Sequence, residues 1–371
     1  MKSGGGPPRR RSVERALRGG LLRAMAAVAA RGGDLPPLDG RPLRVLVVRL
    51  DAIGDVVLIT GLIAALRARH PNIRIDVLTL EPNAPVLDHN PDVDSLILFR
   101  KNARGQILGA RSRLRRAGYD AVIDAMVARD SVRSGTIMLM LATGAPARVG
   151  LVGREHDEFY SVRCGPRVPG EPHVETLRRL GAPFGVDDTD DLRPRLHLDD
   201  DERDAAAEWW AGVSGRGLRV LVNISAAHPR RRWPDDRFAA ALAHLRERAP
   251  DARITVLSMP NDIVSATALA IGVGGSALAP TLREAIATIA QADLVFTPDT
   301  AVVHVASAFE RPTVAMLIPG QLAFAPYRTA GASVVSDSDV LTDLPVARVL
   351  PALDAGLAAA RAVARPAGRA D

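Results

Sequence analysis

From Arg44 onward short apolar runs alternate with longer helical ones, and that alternation restricts the chain to a narrow set of folds. Val45–Val48 reads as a buried strand, and the run from Asp55 to His70 has helical length and stops at Pro71. Ile73–Leu80, Ser95–Phe99 and Asp120–Asp124 continue as strands, with a basic helix around Gly109–Gly118 before the last of them. Residues 151–198, rich in Gly, Pro and Asp, read as loops around one helix at His173–Leu180. A second series then offers strands at Leu218–Asn223, Arg253–Leu257, Asp293–Thr297 and Thr313–Leu317. Its helices fall at Asp235–Arg248, Asn261–Ile271, Leu282–Gln291 and Asp299–Ala308. Strand followed by helix, repeated, implies a parallel sheet covered on both faces. Two such series predict an α/β chain of two doubly wound, Rossmann-like domains facing a cleft, at 41–198 and 199–371, behind a separate 1–40 extension.

Composition narrows the functions available. A single cysteine, Cys164, leaves no intrachain disulfide and no multi-cysteine zinc site, which suits a reducing, cytoplasmic compartment. No apolar run reaches the ~18 residues that cross a bilayer. The net charge is +6, but residues 1–40 hold eight basic and three acidic residues, so the remainder is nearly neutral. A nucleic-acid-binding domain carries a basic face of its own, and nucleic acid is therefore not expected as a partner. Within residues 9–31, Val13, Leu17, Leu21, Met25 and Val28 recur at helical spacing among arginines. That pattern suits peripheral contact with an anionic membrane, and a frayed extension without a docking site fits equally well.

Three strand-to-helix turns carry the candidate chemistry. In the first, Arg49 to Val57, Gly54 permits close chain approach and Asp55 opens a helix. Asp55 is either a helix cap or a carboxylate placed to take a proton from a substrate hydroxyl. The turn lacks the G-x-G-x-x-G pattern, which argues against a nicotinamide or flavin. The second turn, Asn223 to Pro234, has small residues that leave room for a ligand, then Arg230, Arg231 and Arg232. Arginines at a strand's carboxyl end suit a phosphate clamp, with an ordinary solvated charge run as the alternative. In the third, Thr297 to His304, Thr300 and the amides of residues 300–302 would face an anion at a helix N-terminus. A capped helix start with His304 in the core is the competing reading.

In order and spacing these turns resemble the lipopolysaccharide heptosyltransferases, glycosyltransferase family 9, which have GT-B architecture. The family's R-x-S-S-I-G-D-x-x-x-T-x-P is similar to Arg49-Leu50-Asp51-Ala52-Ile53-Gly54-Asp55 followed by Thr60. Its N-P-G-A-x-x-x-x-K-R-W-P resembles Asn223 to Pro234, with Arg231 at the lysine position. Its N-D-S/T-G-x-x-H-x-A-A-A-x-x-x-P-T-V resembles Pro298 to Ala308 followed by Pro312-Thr313-Val314. Ala301 stands at a usual glycine, Asp51 at a serine, and Ile318-Pro319-Gly320-Gln321 at the family's G-P-T-D-P.

The resemblance implies an inverting, metal-independent glycosyltransferase. Asp55 would be the general base, and Arg231 with a helix dipole would stabilise the departing nucleoside diphosphate. Donor contacts would come from Asn223, Ser225, Arg231, Asp262, Asp299, Thr300, Ala301 and His304, and acceptor contacts from Arg49, Gly54 and Thr60. No Asp-x-Asp stands clearly at a strand end to hold a metal, and no cofactor is implied beyond the nucleotide-sugar donor, ADP-heptose by family default. The acceptor would be a glycolipid or oligosaccharide of the lipopolysaccharide core. Ala301 and the altered 318–321 segment keep two alternatives open: a different nucleotide sugar, or a nucleotide-sugar-binding protein that has lost catalysis.

Overall fold

The computed structural model describes residues 32–100, 106–127 and 130–364; the amphipathic pattern at 9–31 lies outside them. Twelve strands among these residues form two six-stranded parallel sheets. The first contains β1 (Arg44–Arg49), β2 (Arg74–Leu80), β3 (Ser95–Phe99), β4 (Ala121–Asp124), β5 (Ala147–Leu151) and β6 (Val162–Cys164), in the order β3-β2-β1-β4-β5-β6. The second contains β7 (Arg219–Asn223), β8 (Arg253–Leu257), β9 (Ser276–Leu278), β10 (Leu294–Pro298), β11 (Thr313–Leu317) and β12 (Gly331–Val335), in the order β12-β11-β10-β7-β8-β9. Each sheet repeats the Rossmann strand order, so each has a switch point, between β1 and β4 and between β7 and β10. Ligands of such sheets bind beyond the carboxyl ends of the strands at that reversal.

The alternation within β1 explains the layers. Val45 and Val47 belong to the core under helix α1 (Ile53–Arg69), while Leu46 and Val48 belong to the core under α2 (Gln106–Ala117) and α3 (Ser134–Thr143). Helix α4 (His173–Gly181) joins α1 on the first face. That first core does not stop at the end of one half. It continues through Trp210 of α5 (Asp200–Gly212), whose indole N–H donates to the Thr288 carbonyl at 3.1 Å. Around the second sheet lie α6 (Asp235–Arg248), α7 (Ile263–Gly272), α8 (Leu282–Ala290), α9 (Ala301–Ala308) and α10 (Val346–Ala364). Ile286 of α8 and Val305 of α9 share the first core, and α9 packs directly on α1. Apolar burial therefore fixes the two halves against each other as well as each sheet. No helix among the described residues is long and apolar enough to cross a membrane.

Several elements escape the sequence reading. Residues 151–198 hold β6 as well as the one expected helix, and β5, β9, β12, α3, α5 and α10 are additional. The strands missed are short or interrupted: β6 and β9 have three residues each, and Arg148 and Gly150 break the apolar run of β5. Helix α1 starts at Ile53, two residues before the expected Asp55, and α9 starts at Ala301 because Thr300 is its cap.

Candidate active site

Arg49 ends β1 with no exposed surface. Its guanidinium donates to the Ala125 carbonyl just beyond β4 and forms an ion pair with Asp55 Oδ1. Asp55 is the third residue of α1, and its Oδ2 accepts the Ala52 N–H at 3.1 Å, the acidic half of a capping box. One carboxylate thus caps with one oxygen and pairs with the other. Arg49, expected at the acceptor, holds Asp55 in place from below. Thr60, expected there too, is buried: its hydroxyl donates to the Val57 carbonyl at 2.6 Å and accepts the Arg195 N–H at 2.8 Å. It fastens the connecting segment to α1.

On the opposite side, Asn223 ties the ends of β7 and β10 together. Its Nδ2 donates to Thr297 Oγ1 at 2.9 Å, to Thr300 Oγ1 at 3.2 Å and to the Ser225 carbonyl at 3.1 Å. The Ser225 hydroxyl donates to Asp262 at 2.6 Å and accepts the Met259 N–H at 2.8 Å. The three successive arginines part company. Arg230 pairs with Asp339 at 3.0 Å on the surface, Arg232 with Asp262, and Arg231 with Asp299 at 3.2 Å and the Asp299 carbonyl at 3.1 Å. Arg231 alone reaches the third turn. The Thr300 hydroxyl accepts the Val302 N–H at 3.3 Å, so one amide of the expected anion site is engaged by the cap itself.

The two sets meet at Gly54. A Cβ there would lie 3.0 Å from His304 Cδ2 and 3.2 Å from Ala301 Cα. Close approach of the two halves, not a positive φ, is what glycine provides at this position. Burial pushes the Asp299 carboxyl above its ordinary value, Arg231 opposes the shift, and the Asp55 charge adds to it. Burial also pushes His304 down to about 4; Asp55 opposes that shift, while Arg49 and Arg231 reinforce it. Asp55, Arg49, Arg231, Asp299 and His304 therefore form one electrostatic cluster drawn from both halves.

His173, at the start of α4, belongs to this cluster and was not singled out from the sequence. It is buried, neither ring nitrogen has a hydrogen-bond partner, and burial pushes it down to about 4, with Arg49, Asp55 and His304 among its electrostatic neighbours. Its ring packs 4.3 Å from that of Phe324, whose centroid is 6.0 Å from His304. Beside them the Tyr327 hydroxyl donates to Glu175 Oε1 of α4 at 3.0 Å. The segment carrying Phe324 follows the altered 318–321 motif and docks on the other half.

The sequence model of Glycosyltransferase family 9 (heptosyltransferase) matches residues 107–336, more than half of the chain. The chain belongs to glycosyltransferase family 9. It is 23% identical over 310 residues to lipopolysaccharide heptosyltransferase 2 of Escherichia coli, covering 79% of this chain and 88% of that one. Lipopolysaccharide heptosyltransferase 3 of the same organism is 23% identical over 279 residues, covering 71% and 79% respectively. Among solved structures, a family 9 glycosyltransferase of Veillonella parvula superposes with a TM-score of 0.74 at 20% identity, covering 88% of this chain and 99% of that one. The E. coli heptosyltransferase WaaC with ADP gives 0.66 at 19% identity, covering 86% and 99%.

This family 9 glycosyltransferase thus has the two-sheet GT-B fold expected from its three turns. Among its described residues, one group of side chains, His89, Asp199 and Glu202, has atoms spaced to hold a metal ion. Both Glu202 oxygens are engaged by Arg283, with Nε to Oε1 at 2.6 Å, and the Asp199 N–H binds the same carboxylate at 3.1 Å. An arginine already supplies the cation there.

Proposed function

We propose that this family 9 enzyme transfers a heptose from ADP-heptose to a hydroxyl of a lipopolysaccharide-core or related glycan, with inversion and without a metal. The grouping of Asp55 with Arg231, Asp299 and His304 across the Gly54 contact carries the reading. The acceptor oxygen bonds to the anomeric carbon, its proton passes to Asp55, and the carbon–oxygen bond to the diphosphate breaks with its electron pair on the leaving group. A positioned general base contributes about 10²–10⁴-fold. Arg231 and the N-terminal end of α9 supply positive charge where the diphosphate gains negative charge. Arg49 keeps the Asp55 carboxylate oriented, and Ser225 with Asp262 offers polar groups toward the nucleotide ribose. The names of the E. coli relatives, lipopolysaccharide heptosyltransferases, and the solved complex of WaaC with ADP support the choice of donor and acceptor. Residues 9–31 would hold the enzyme peripherally at the membrane that carries a glycolipid acceptor.

Titration with ADP, UDP, GDP and CDP, followed by transfer assays of wild type and Asp55→Ala, tests the reading. ADP should bind tightest, and Asp55→Ala should bind it equally while losing at least a hundredfold in transfer. Preference for another base overturns the donor. Wild type and variant that both bind without turnover favour a binding protein.

A further inference from the structure

The basic helix α2 has no part in the site above, yet it is the most one-sided charged element in the described chain. Its sequence from Gln106 to Ala117 contains Arg111, Arg113, Arg115 and Arg116 and no acid. All four arginines are exposed, while Leu114 between them is fully buried under the sheet. At 3.6 residues per turn they cover an arc of about 200° on the side opposite Leu114. None of the four pairs with a carboxylate among the described residues. The acid that follows them, Asp120, is bonded to Arg41 at 2.8 Å and to the Arg44 N–H at 2.8 Å. Neighbouring α3 (SGTIMLMLAT) has no charged residue and exposes 41% of Met138.

Helix stability explains only part of this. Arg115 and Arg116 lie in the last turn, where cations complement the helix dipole, but Arg111 and Arg113 do not. Service to the reaction centre is excluded by topology. Helices α2 and α3 cover the sheet face opposite α1, and the last turn of α2 leads into the amino end of β4. Asp55 lies beyond the carboxyl end of β1, at the other end of the sheet. We propose that the α2–α3 face is a docking surface for an anionic lipid bilayer. Clustered arginines attract the negative surface of a leaflet, and Met138 offers an apolar side chain to the headgroup region. A single-stranded nucleic acid fits less well, because neither helix offers an aromatic side chain to stack on a base, and the exposed methionine serves a bilayer but not a duplex. The proposal shares with the proposed function only the idea that the enzyme works at a membrane, and it assigns a surface separate from residues 9–31.

The test is sedimentation of the full chain with phosphatidylcholine vesicles, with and without phosphatidylglycerol, beside transfer to a lipid-free acceptor. Wild type should bind only the anionic vesicles, and less as salt rises. R111Q/R113Q/R115Q/R116Q should lower partitioning at least tenfold, at up to about fivefold per arginine, with transfer to the soluble acceptor retained. R111E/R113E, which keeps the arginines of the last turn, should do the same if the quadruple variant folds poorly. Wild-type partitioning in both variants overturns the proposal. So does a loss confined to R9Q/R10Q/R11Q/R15Q, the charge-matched change outside α2. A variant that loses binding to duplex DNA but not to vesicles overturns it in favour of a polynucleotide. Because partitioning is read without turnover, failure here leaves the transferase reading intact, and failure of transfer leaves this one intact.

Discussion

Gly54 and Ala301 face each other where the two halves of the enzyme touch: a Cβ on Gly54 would lie 3.6 Å from the Ala301 methyl and 3.2 Å from its Cα. This contact, with His304 at 3.0 Å, sets how near Asp55 comes to the second half. In Gly54→Ala the added methyl has to push α9 back by a few tenths of an ångström. Replacing a helical glycine by alanine contributes up to about 1 kcal/mol of propensity. The variant should therefore melt at or above the wild-type temperature yet lose about tenfold or more in kcat/KM. Ala301→Gly in the same chain removes a methyl in ordinary contact but leaves the closer His304 Cδ2 and residue-301 Cα in place, so it should restore little of the loss. Substantial rescue in the double-mutant cycle would show that the Ala301 methyl, not the backbone or the His304 ring, carries the clash.

Gly61 makes an instructive contrast. A Cβ there would run into the Leu192 carbonyl oxygen and come within 2.9 Å of the Arg193 carbonyl, both main-chain atoms of the connecting segment that Thr60 also binds. Backbone cannot swing aside as a side chain does. Gly61→Ala should cost about 1–3 kcal/mol or more, as overpacking does, and lower the melting temperature while leaving residual activity per folded molecule near wild type. A variant as stable as wild type would mean that the segment moves freely.

These two glycines show what could be read from the residues alone. Gly54 stands in a turn whose types, Arg, Gly and Asp after an apolar strand, mark it as chemical, and the same holds for Asn223–Arg231 and Thr297–His304. Local order at a strand's carboxyl end is a property of contiguous residues, so the three turns and the doubly wound architecture were legible. Gly61, inside the long buried stretch of α1 from Val56 to Leu66, carries no such mark. His173 and Phe324 come from segments remote in sequence that meet only when the halves dock. The distinct partners of Arg230, Arg231 and Arg232 were invisible for the same reason: Asp339, Asp299 and Asp262 are brought to them by three different strand ends.

That separation predicts three different phenotypes for adjacent substitutions. Arg231→Gln should lower transfer at least a hundredfold, because it removes the charge that reaches the third turn and leaves buried Asp299 without its partner. Arg232→Gln, acting through Asp262 and Ser225, should raise the KM for the donor with a smaller effect on kcat. Arg230→Gln breaks only an exposed pair and should change neither by more than about twofold. Steady-state kinetics on the three proteins decides this, and equal losses in all three would mean that the run acts as a diffuse clamp.

Acid should weaken the junction. Burial holds both His173 and His304 neutral down to about pH 4, whereas the unfolded chain protonates them near 6.5. Between those values the unfolded state binds more protons, so stability falls as pH drops from 6.5 toward 4 and is insensitive to these groups above 6.5. The full loss is on the order of 3 kcal/mol per histidine. Melting temperatures measured at half-unit steps from pH 7.5 to 4.5 should fall through that window, and less steeply in His173→Phe. A flat profile, or one unchanged by the substitution, contradicts the assignment.

His173→Phe should also separate stability from activity. The imidazole is buried with both nitrogens unbonded, and an unsatisfied buried polar group costs about 1–3 kcal/mol. Phenylalanine removes that cost and keeps the stacking with Phe324, so the variant should be more stable than wild type at pH 7. Enzymes retain such costs where the polar group is needed by the substrate. A neutral imidazole both donates and accepts, as a sugar hydroxyl does, and this one lies within electrostatic reach of Asp55. The KM for the acceptor should therefore rise at least fivefold in His173→Phe, with ADP binding unchanged, and His173→Asn should recover part of it through its amide. A stabilised variant with wild-type kinetics would make His173 a packing residue, and a destabilised one would mean that its nitrogens are not without partners.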